Sequence, residues 1–113
     1  MNRNKKSLTL DFKTDIGKKI LTQLIEQSDV LVENFRVGTL KKLGFDYEKV
    51  KEINSQIIYC SISGYGSTGP YAHKGGYDVI VQGMGGLMSI TGLNEPMKVG
   101  VPIVDITTAM LAS

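Results

Sequence analysis

The spacing of apolar residues predicts one long amphipathic helix near the start of the chain. Thr14 stands just before the apolar stripe, and a threonine hydroxyl can accept a hydrogen bond from a first-turn amide. We therefore expect a helix of about 14 residues that Thr14 caps and whose apolar stripe is buried. The side chains that recur on one face of this helix are Ile16, Ile20, Leu21, Leu24 and Ile25.

Three shorter segments have the pattern of β-strands. Residues 7–10 alternate between polar and apolar types, whereas residues 30–32 and 56–62 are mainly apolar runs typical of buried strands. Because helical segments separate the three strands, their order predicts right-handed parallel connections. The predicted fold class is therefore α/β, a parallel sheet with helices on its faces.

Glycines and capping residues mark the remaining helices. Residues 38–43 are predicted to form a short helix that Gly44 stops, and Asp46 is predicted to cap another that ends at Asn54. Residues 77–91 also have helical spacing, although they contain three glycines, each of which costs about 1 kcal/mol in a helix relative to alanine. The glycines indicate that another group, most simply a packed neighbour, approaches this backbone closely.

The ends of the predicted strands indicate where a ligand would bind. Residues 11–13, 34–36 and 63–65 follow the three strands. Parallel sheets bind ligands beyond the carboxyl ends of their strands, so we expect these three groups to line one crevice.

Composition restricts the class of protein. The 113 residues, 42% hydrophobic and 21% charged, indicate one globular domain, and a net charge of +2 gives no argument for nucleic acid. No charge-free apolar run reaches the ~18 residues of a membrane span, and the N-terminus lacks a secretory signal. We expect a cytoplasmic protein without a membrane partner, in which the single cysteine, Cys60, is a small core residue.

A glycine-rich loop follows the third predicted strand. Residues 64–69 match G-x-G-x-x-G, which is typical of dinucleotide sites when a helix opens within the motif. Here Pro70 follows, and no acidic strand end comes about 20 residues later. The pattern favours a loop whose amides contact another anion, with a generic nucleotide binder as the alternative. His73, the only histidine, has no partner at metal-ligand spacing, so no metal is predicted.

Asp105 has two compatible interpretations. It follows the apolar segment 99–104 and precedes a last predicted helix over residues 105–112. In the first interpretation Asp105 caps that helix. In the second it is a carboxylate nucleophile or base, held in an apolar setting that raises its energy. A helix N-terminus would also stabilise its charge.

Seven segments of the chain cover essentially all of it, in order: residues 4–11, 29–35, 43–45, 58–66, 69–71, 76–78 and 100–105. Together they resemble the class III CoA-transferases, which include formyl-CoA transferase, carnitine CoA-transferase and α-methylacyl-CoA racemase. The resemblance implies a Rossmann-like CoA-binding domain and an interlocked homodimer. It also implies acyl-CoA:carboxylate CoA-transfer, in which an aspartate attacks the thioester to give an aspartyl–acyl anhydride.

The resemblance assigns roles to individual residues. The family's nucleophile falls on Asp105. No permanently bound cofactor is implied, because the CoA thioester is a substrate and a carboxylate is its acceptor. Lys13, Arg36 and Lys42 offer cations to the CoA phosphates. The family's CoA-contacting positions fall on Leu10, Asp11, Phe12, Lys13, Asn34, Phe35, Arg36, Lys42, Gly75, Gly76, Tyr77 and Asp78.

Two departures from the family leave alternatives open. The racemase branch has a histidine where this chain has Tyr77, and tyrosine side chains are poor bases at neutral pH, which favours transferase over racemase. Family members are several times longer, so residues 1–113 correspond to part of the CoA-binding large domain, without its first strand and without the second domain. We expect either a transferase fragment that another chain completes, or an inactive remnant that at most binds CoA.

Overall fold

The computed structural model describes residues 2–113, and they form helices and a small parallel sheet in two compact units. The first unit contains the residues up to Leu31 and Leu40–Tyr59, and the second contains Val32–Thr39 and Cys60–Ser113. Over the described range, none of the helices has the length and apolar character needed to span a membrane. The elements in chain order are α1 (Asp15–Glu26), β1 (Val30–Glu33), α2 (Thr39–Leu43), α3 (Tyr47–Ile53), β2 (Ile58–Ser61), α4 (Asp78–Met84), a 3-10 helix (Leu87–Ile90) and α5 (Ile103–Leu111).

The core of the first unit is small and lies among its three helices. The side-chain amide of Asn54 donates hydrogen bonds to the carbonyls of Ile25 and Ser28, at 3.1 and 2.9 Å. These carbonyls lie at the C-terminal end of α1, where a helix leaves acceptors unpaired, so Asn54 joins the ends of α3 and α1. The buried apolar side chains of this core are Ile25, Leu40, Phe45, Val50 and Ile57.

Local capping chemistry predicted the helix ends of this unit correctly. Thr14 is the N-cap of α1, and its hydroxyl accepts a hydrogen bond from the Gly17 amide at 3.0 Å. The helix α2 ends just before Gly44, whose φ of +86° lies in the left-handed region that glycine adopts without strain. The helix α3 begins after Asp46 and ends at Asn54, although the Asp46 side chain makes no capping hydrogen bond.

The apolar stripe of α1 is buried only toward the end of the helix. Ile25 is 2% exposed, whereas Ile16 is 75% exposed and Leu24 is also exposed. The prediction that the whole stripe is buried is therefore wrong. The reason is that the core of the unit packs against the last turns of α1, through Leu21 and Ile25.

This difference along α1 predicts unequal effects of two identical substitutions. Replacing Ile25 with alanine should lower the free energy of unfolding by about 2 kcal/mol, because it removes buried methyl groups from a small core. Ile16→Ala, on the same helix, should change it by less than about 0.5 kcal/mol, because that side chain already contacts water. Urea denaturation followed by circular dichroism would measure both, and equal effects would contradict this assignment of the core.

The two strands confirm the predicted α/β class. The Ile58 amide donates to the Asp29 carbonyl and the Ile62 amide donates to the Glu33 carbonyl, each at 2.9 Å, so the strands run parallel. Residues 7–10 are not a strand, and within residues 2–113 the sheet has two strands rather than three. The third strand fails because an extended backbone needs a neighbour to pair its amides and carbonyls.

The strands are also less buried than their composition predicts. Val30, Val32 and Ile58 are exposed, and Cys60 is half-buried rather than a core residue. Apolar runs predict strands covered on both faces, whereas in the described residues part of this apolar surface contacts water.

Glycines divide the helix that the spacing of residues 77–91 predicted. The helix α4 ends at Met84, and the 3-10 helix starts after Gly86, whose φ is +79°. A turn with positive φ favours glycine, so a change of direction explains Gly86 better than the expected close approach of a packed neighbour. The helix α4 packs against both the 3-10 helix and α5.

Candidate functional site

One cleft of about 640 Å³ lies entirely within the second unit. Three groups of predicted site residues meet in this cleft: residues 34–36 after β1, residues 75–78 at the start of α4, and Asp105. Their roles in binding and catalysis remain predictions. The lining residues are Asn34, Phe35, Arg36, Val37, Ile62, Ser63, Gly64, Lys74, Gly75, Gly76, Tyr77, Asp78, Val81, Val104, Asp105, Thr108 and Ala109.

The loop after β1 is shaped by the carboxylate of Glu33. One oxygen of this carboxylate accepts a hydrogen bond from the Phe35 amide at 2.9 Å, and the other accepts one from the Ser61 hydroxyl at the end of β2. The first bond bends the chain just beyond the strand, and the second fixes the carboxylate to the neighbouring strand. Together they hold residues 34–36, including the Arg36 cation, at the carboxyl edge of the sheet.

Two glycines allow the other cleft-lining loops to touch. A Cβ atom built on Gly64 would lie 2.4 Å from the Cα atom of Gly76, and a Cβ atom on Gly76 would lie 2.4 Å from the Cα atom of Gly64. Atoms that are not bonded to each other do not approach so closely, so only a pair of glycines permits this backbone contact. The contact joins the loop after β2 to the segment that leads into α4.

Asp105 lies in the first turn of α5, with its side chain exposed. The helix begins two residues earlier than predicted, after Pro102, so the prediction that Asp105 caps it is wrong. The prediction of an apolar setting that raises the energy of the carboxylate is also wrong for the described residues, because the side chain contacts water. The partial positive charge of the helix N-terminus favours a carboxylate at this position.

Asp78 supplies the acceptor that α5 lacks in its own sequence. Pro102 is the residue before the helix and makes no side-chain capping bond. One oxygen of Asp78 instead accepts a hydrogen bond from the Val104 amide at 2.9 Å, and the other accepts one from the Gln82 side chain at 2.7 Å. A carboxylate from α4 therefore satisfies a first-turn amide of α5, next to Asp105 in the sequence.

The sequence did not indicate Lys74, which lines the cleft, or Gln82, which is hydrogen-bonded to the cleft residue Asp78. Lys74 lines the cleft, and its ammonium lies 4.2 Å from the centre of the Tyr71 ring, within the range of a cation–π contact. The Tyr71 ring in turn packs edge-on against Tyr65. The available signal for Gln82 was its spacing of four residues from Asp78, which places both side chains on one helix face.

The remaining predicted binding residues belong to the first unit. Leu10, Asp11, Phe12 and Lys13 precede α1, where an oxygen of Asp11 accepts a hydrogen bond from the Lys13 amide at 2.9 Å. Lys42 is exposed near the end of α2. Their contribution to CoA binding stays a prediction.

The alternative chemistries find less support in the described residues. No helix opens within residues 64–69, because α4 starts only at Asp78, so the dinucleotide motif lacks its helix N-terminus. Residues 2–113 contain no group of three His, Cys, Asp or Glu side chains that could hold a metal ion. His73 does not line the cleft.

Comparison with known proteins decides which family this arrangement belongs to. A model of CoA-transferase family III matches residues 1–113. The chain belongs to CoA-transferase family III. This family membership confirms the resemblance of the seven segments.

Sequence relatives within the family are named as CoA-transferases. A succinate–glutarate CoA-transferase from Agrobacterium fabrum is 50% identical over 111 residues, which are 96% of this chain and 28% of the relative. A formyl-CoA:oxalate CoA-transferase from Streptomyces coelicolor is 47% identical over 112 residues, which are 97% of this chain and 27% of the relative. The chain thus spans under a third of the length of the curated relatives it matches.

Two solved structures share the fold of the described residues. A CaiB/BaiF family protein from Brucella suis superposes with a TM-score of 0.94 at 50% identity, over 98% of this chain and 30% of that protein. A hypothetical protein from Mycobacterium tuberculosis gives 0.91 at 30% identity, over 98% of this chain and 32% of that protein. The α/β fold of the described residues is therefore that of CaiB/BaiF proteins.

Proposed function

We propose that the chain contributes the nucleophile and part of the CoA site of an acyl-CoA:carboxylate CoA-transferase. The observation that supports this most strongly is the cleft that Asp105 shares with Arg36 and Lys74. A CoA thioester needs cations for its phosphates and a nucleophile within reach of its carbonyl carbon. The same cleft offers both.

The proposed reaction uses Asp105 to divide the transfer into easier steps. A carboxylate oxygen of Asp105 forms a bond to the thioester carbonyl carbon. The carbon–sulfur bond then breaks, its electron pair leaves with the CoA thiolate, and Asp105 carries the acyl group as a mixed anhydride. Over the whole cycle the donor acyl group leaves as its carboxylate, the acceptor carboxylate loses one oxygen and becomes the new CoA thioester, and the Asp105 carboxylate is regenerated.

The names of the relatives support a small dicarboxylate as donor or acceptor. One relative is named for succinate and glutarate, and another for formyl-CoA and oxalate. We therefore choose succinyl-CoA as the first donor to test and glutarate as the first acceptor.

The direct test is to trap the anhydride on the chain. The chain is incubated with succinyl-CoA and then with hydroxylamine, which converts an aspartyl anhydride to a hydroxamate that peptide mass spectrometry locates. We expect the hydroxamate at Asp105, and no hydroxamate when free CoA replaces succinyl-CoA. A chain that binds CoA but never becomes labelled would contradict the proposal and support the alternative of a binding remnant.

A racemase remains the second candidate from the family, and the cleft argues against it. Racemisation requires a base that removes a proton from the α-carbon, and the cleft presents Tyr77 where the racemase branch has histidine. Deuterium incorporation at the α-carbon of 2-methylacyl-CoA in heavy water would identify a racemase. We expect none above the rate without protein.

The proposal extends to the setting in which the chain acts. We propose a cytoplasmic protein in which Leu10, Asp11, Phe12, Lys13 and Lys42 supply further CoA contacts, and we propose the interlocked homodimer for the full-length members of the family. Analytical ultracentrifugation would give the mass of the assembly. A full-length relative that sediments as a monomer would contradict the dimer, and the trapping experiment tests Asp105 independently of this result.

The cations of the cleft predict how CoA affinity depends on charge. Replacing Lys74 with glutamine should weaken CoA binding about fivefold at low salt, equivalent to about 1 kcal/mol, because an exposed cation loses its phosphate partner. Calorimetry would measure this change. Affinity for pantetheine, which has no phosphate, should stay the same, and Lys98→Gln is a control because Lys98 lies outside the cleft lining.

A further inference from the structure

Gln82 is the most buried polar residue of the described chain, with a side chain only 1% exposed. Burying an amide is unfavourable unless its hydrogen-bonding groups are paired, and both ends of this amide are paired. Its nitrogen donates to Asp78 at 2.7 Å, and its oxygen accepts from the Val99 amide at 2.9 Å. A leucine or methionine would fill the same space without this requirement, so packing alone does not explain a glutamine here.

The two bonds of Gln82 fix both ends of the segment that leads into α5. Val99 is held directly, and Val104 is held through Asp78, which accepts its amide at 2.9 Å. Asp105 comes next in the chain after Val104. Side chains of α4 therefore hold the chain immediately before Asp105, although Gln82 does not itself line the cleft.

We propose that Gln82 is a positioning residue for Asp105, acting by locking Asp78 onto the first turn of α5. The inference rests on the proposed function of Asp105 and adds a residue to it. Without Gln82 the Asp78 carboxylate is free to rotate away from the Val104 amide, and α5 loses the acceptor that Pro102 does not supply. The carboxylate of Asp105 then samples orientations from which it does not reach the thioester carbon.

Two substitutions separate positioning from simple stability. Gln82→Met keeps an unbranched chain of similar volume and removes both hydrogen bonds. Gln82→Glu keeps the acceptor for Val99 but faces the Asp78 carboxylate with a second negative charge. That charge raises the pKa of the introduced carboxyl, and once the pair takes up one proton a hydrogen bond between the two side chains forms again.

Several charges surround this pair, and two of them, Arg36 and Lys74, are cations that line the cleft with Asp78. On the elements packed against α4, the 3-10 helix carries no titratable side chain, and α5 carries only Asp105. Lys98 precedes Val99 in the chain, and its ammonium donates to the Val99 carbonyl at 3.0 Å. The pH response of Gln82→Glu therefore reports mainly on residues 78 and 82, with Asp105 as the other carboxylate that lines the cleft with Asp78.

The experiment measures two quantities on the 113-residue chain. The first is the rate of hydroxylamine-trapped labelling of Asp105 by succinyl-CoA, resolved into its maximal rate and its half-saturating concentration. The second is hydrogen exchange of the Val104 amide by NMR, which requires no substrate. Gln23→Glu, on the exposed face of α1, is the matched control for the change of side chain.

We expect Gln82→Met to lower the maximal labelling rate about tenfold or more, with half-saturation nearly unchanged, and to speed exchange of the Val104 amide. Gln82→Glu should show the same defects at pH 8 and recover at pH 5.5, whereas Gln82→Met should not recover. If the Val104 amide exchanges at the same rate in both variants as in the unchanged chain, the inference is wrong.

If Gln82→Met does not fold, the pH response of Gln82→Glu decides. If the unchanged chain is never labelled by succinyl-CoA, only the proposed function is contradicted. The exchange rate of the Val104 amide then still tests whether Gln82 holds α5.

Discussion

Replacing Asp105 with asparagine should abolish hydroxylamine-trapped labelling by succinyl-CoA and leave CoA binding intact. Asparagine has nearly the same shape, but its neutral amide is a far weaker nucleophile than a carboxylate. The side chain is exposed, so the substitution removes no buried contact and should leave the fold unchanged. We expect labelling to fall at least about a thousandfold, as is typical when a covalent nucleophile is removed. Peptide mass spectrometry would measure labelling, and calorimetry would measure CoA binding.

A carboxylate elsewhere in the second unit provides the control for this experiment. Glu95→Gln makes the equivalent change at an exposed position outside the cleft lining, and it should label as the unchanged chain does. Labelling that survives Asp105→Asn would move the nucleophile to another cleft residue, of which Asp78 is the remaining carboxylate among those that line the cleft. Loss of CoA binding together with labelling would instead indicate that Asp105 shapes the cleft.

The helix ends were predictable because their causes are local. In the first unit, Thr14 and Gly44 act through a side chain or a backbone angle within a few residues, and each lies where the sequence placed it, whereas the start of α5 was predicted two residues too late. Tertiary partners decide the features that were predicted wrongly. Residues 7–10 alternate like a strand, yet no described strand pairs with them, and Ile16 is apolar, yet the core does not extend to it.

The cleft shows the same division between local and tertiary information. The rule that ligands bind beyond the ends of parallel strands placed residues 34–36 near residue 64, and the family resemblance added residues 75–78 and Asp105. Lys74 was missed because a lysine in a loop has no pattern that distinguishes it from a surface charge. Gln82 was missed because its burial depends on Val99, seventeen positions later in the chain.

Substituting alanine for Gly76 should disrupt the cleft far more than the same substitution at the adjacent Gly75. The added methyl group at residue 76 would lie 2.4 Å from the Cα atom of Gly64, whereas a methyl group at residue 75 would meet no atom within 4 Å. Neither glycine has a positive φ, so the backbone conformation itself tolerates alanine at both positions. The difference between the two variants therefore reports the contact between the two loops.

We expect Gly76→Ala to lower the free energy of unfolding by about 3 kcal/mol, because the clash is with backbone that has no rotamer through which to yield. Gly75→Ala should change it by less than about 0.5 kcal/mol. Gly64→Ala should match Gly76→Ala, because the contact is reciprocal. Urea denaturation would compare the three variants, and CoA titration would show whether the loops still form the cleft. If Gly75→Ala and Gly76→Ala were equally stable, the two loops would not touch in solution. The cleft that presents Arg36, Lys74 and Asp105 together would then lose the contact that joins its walls.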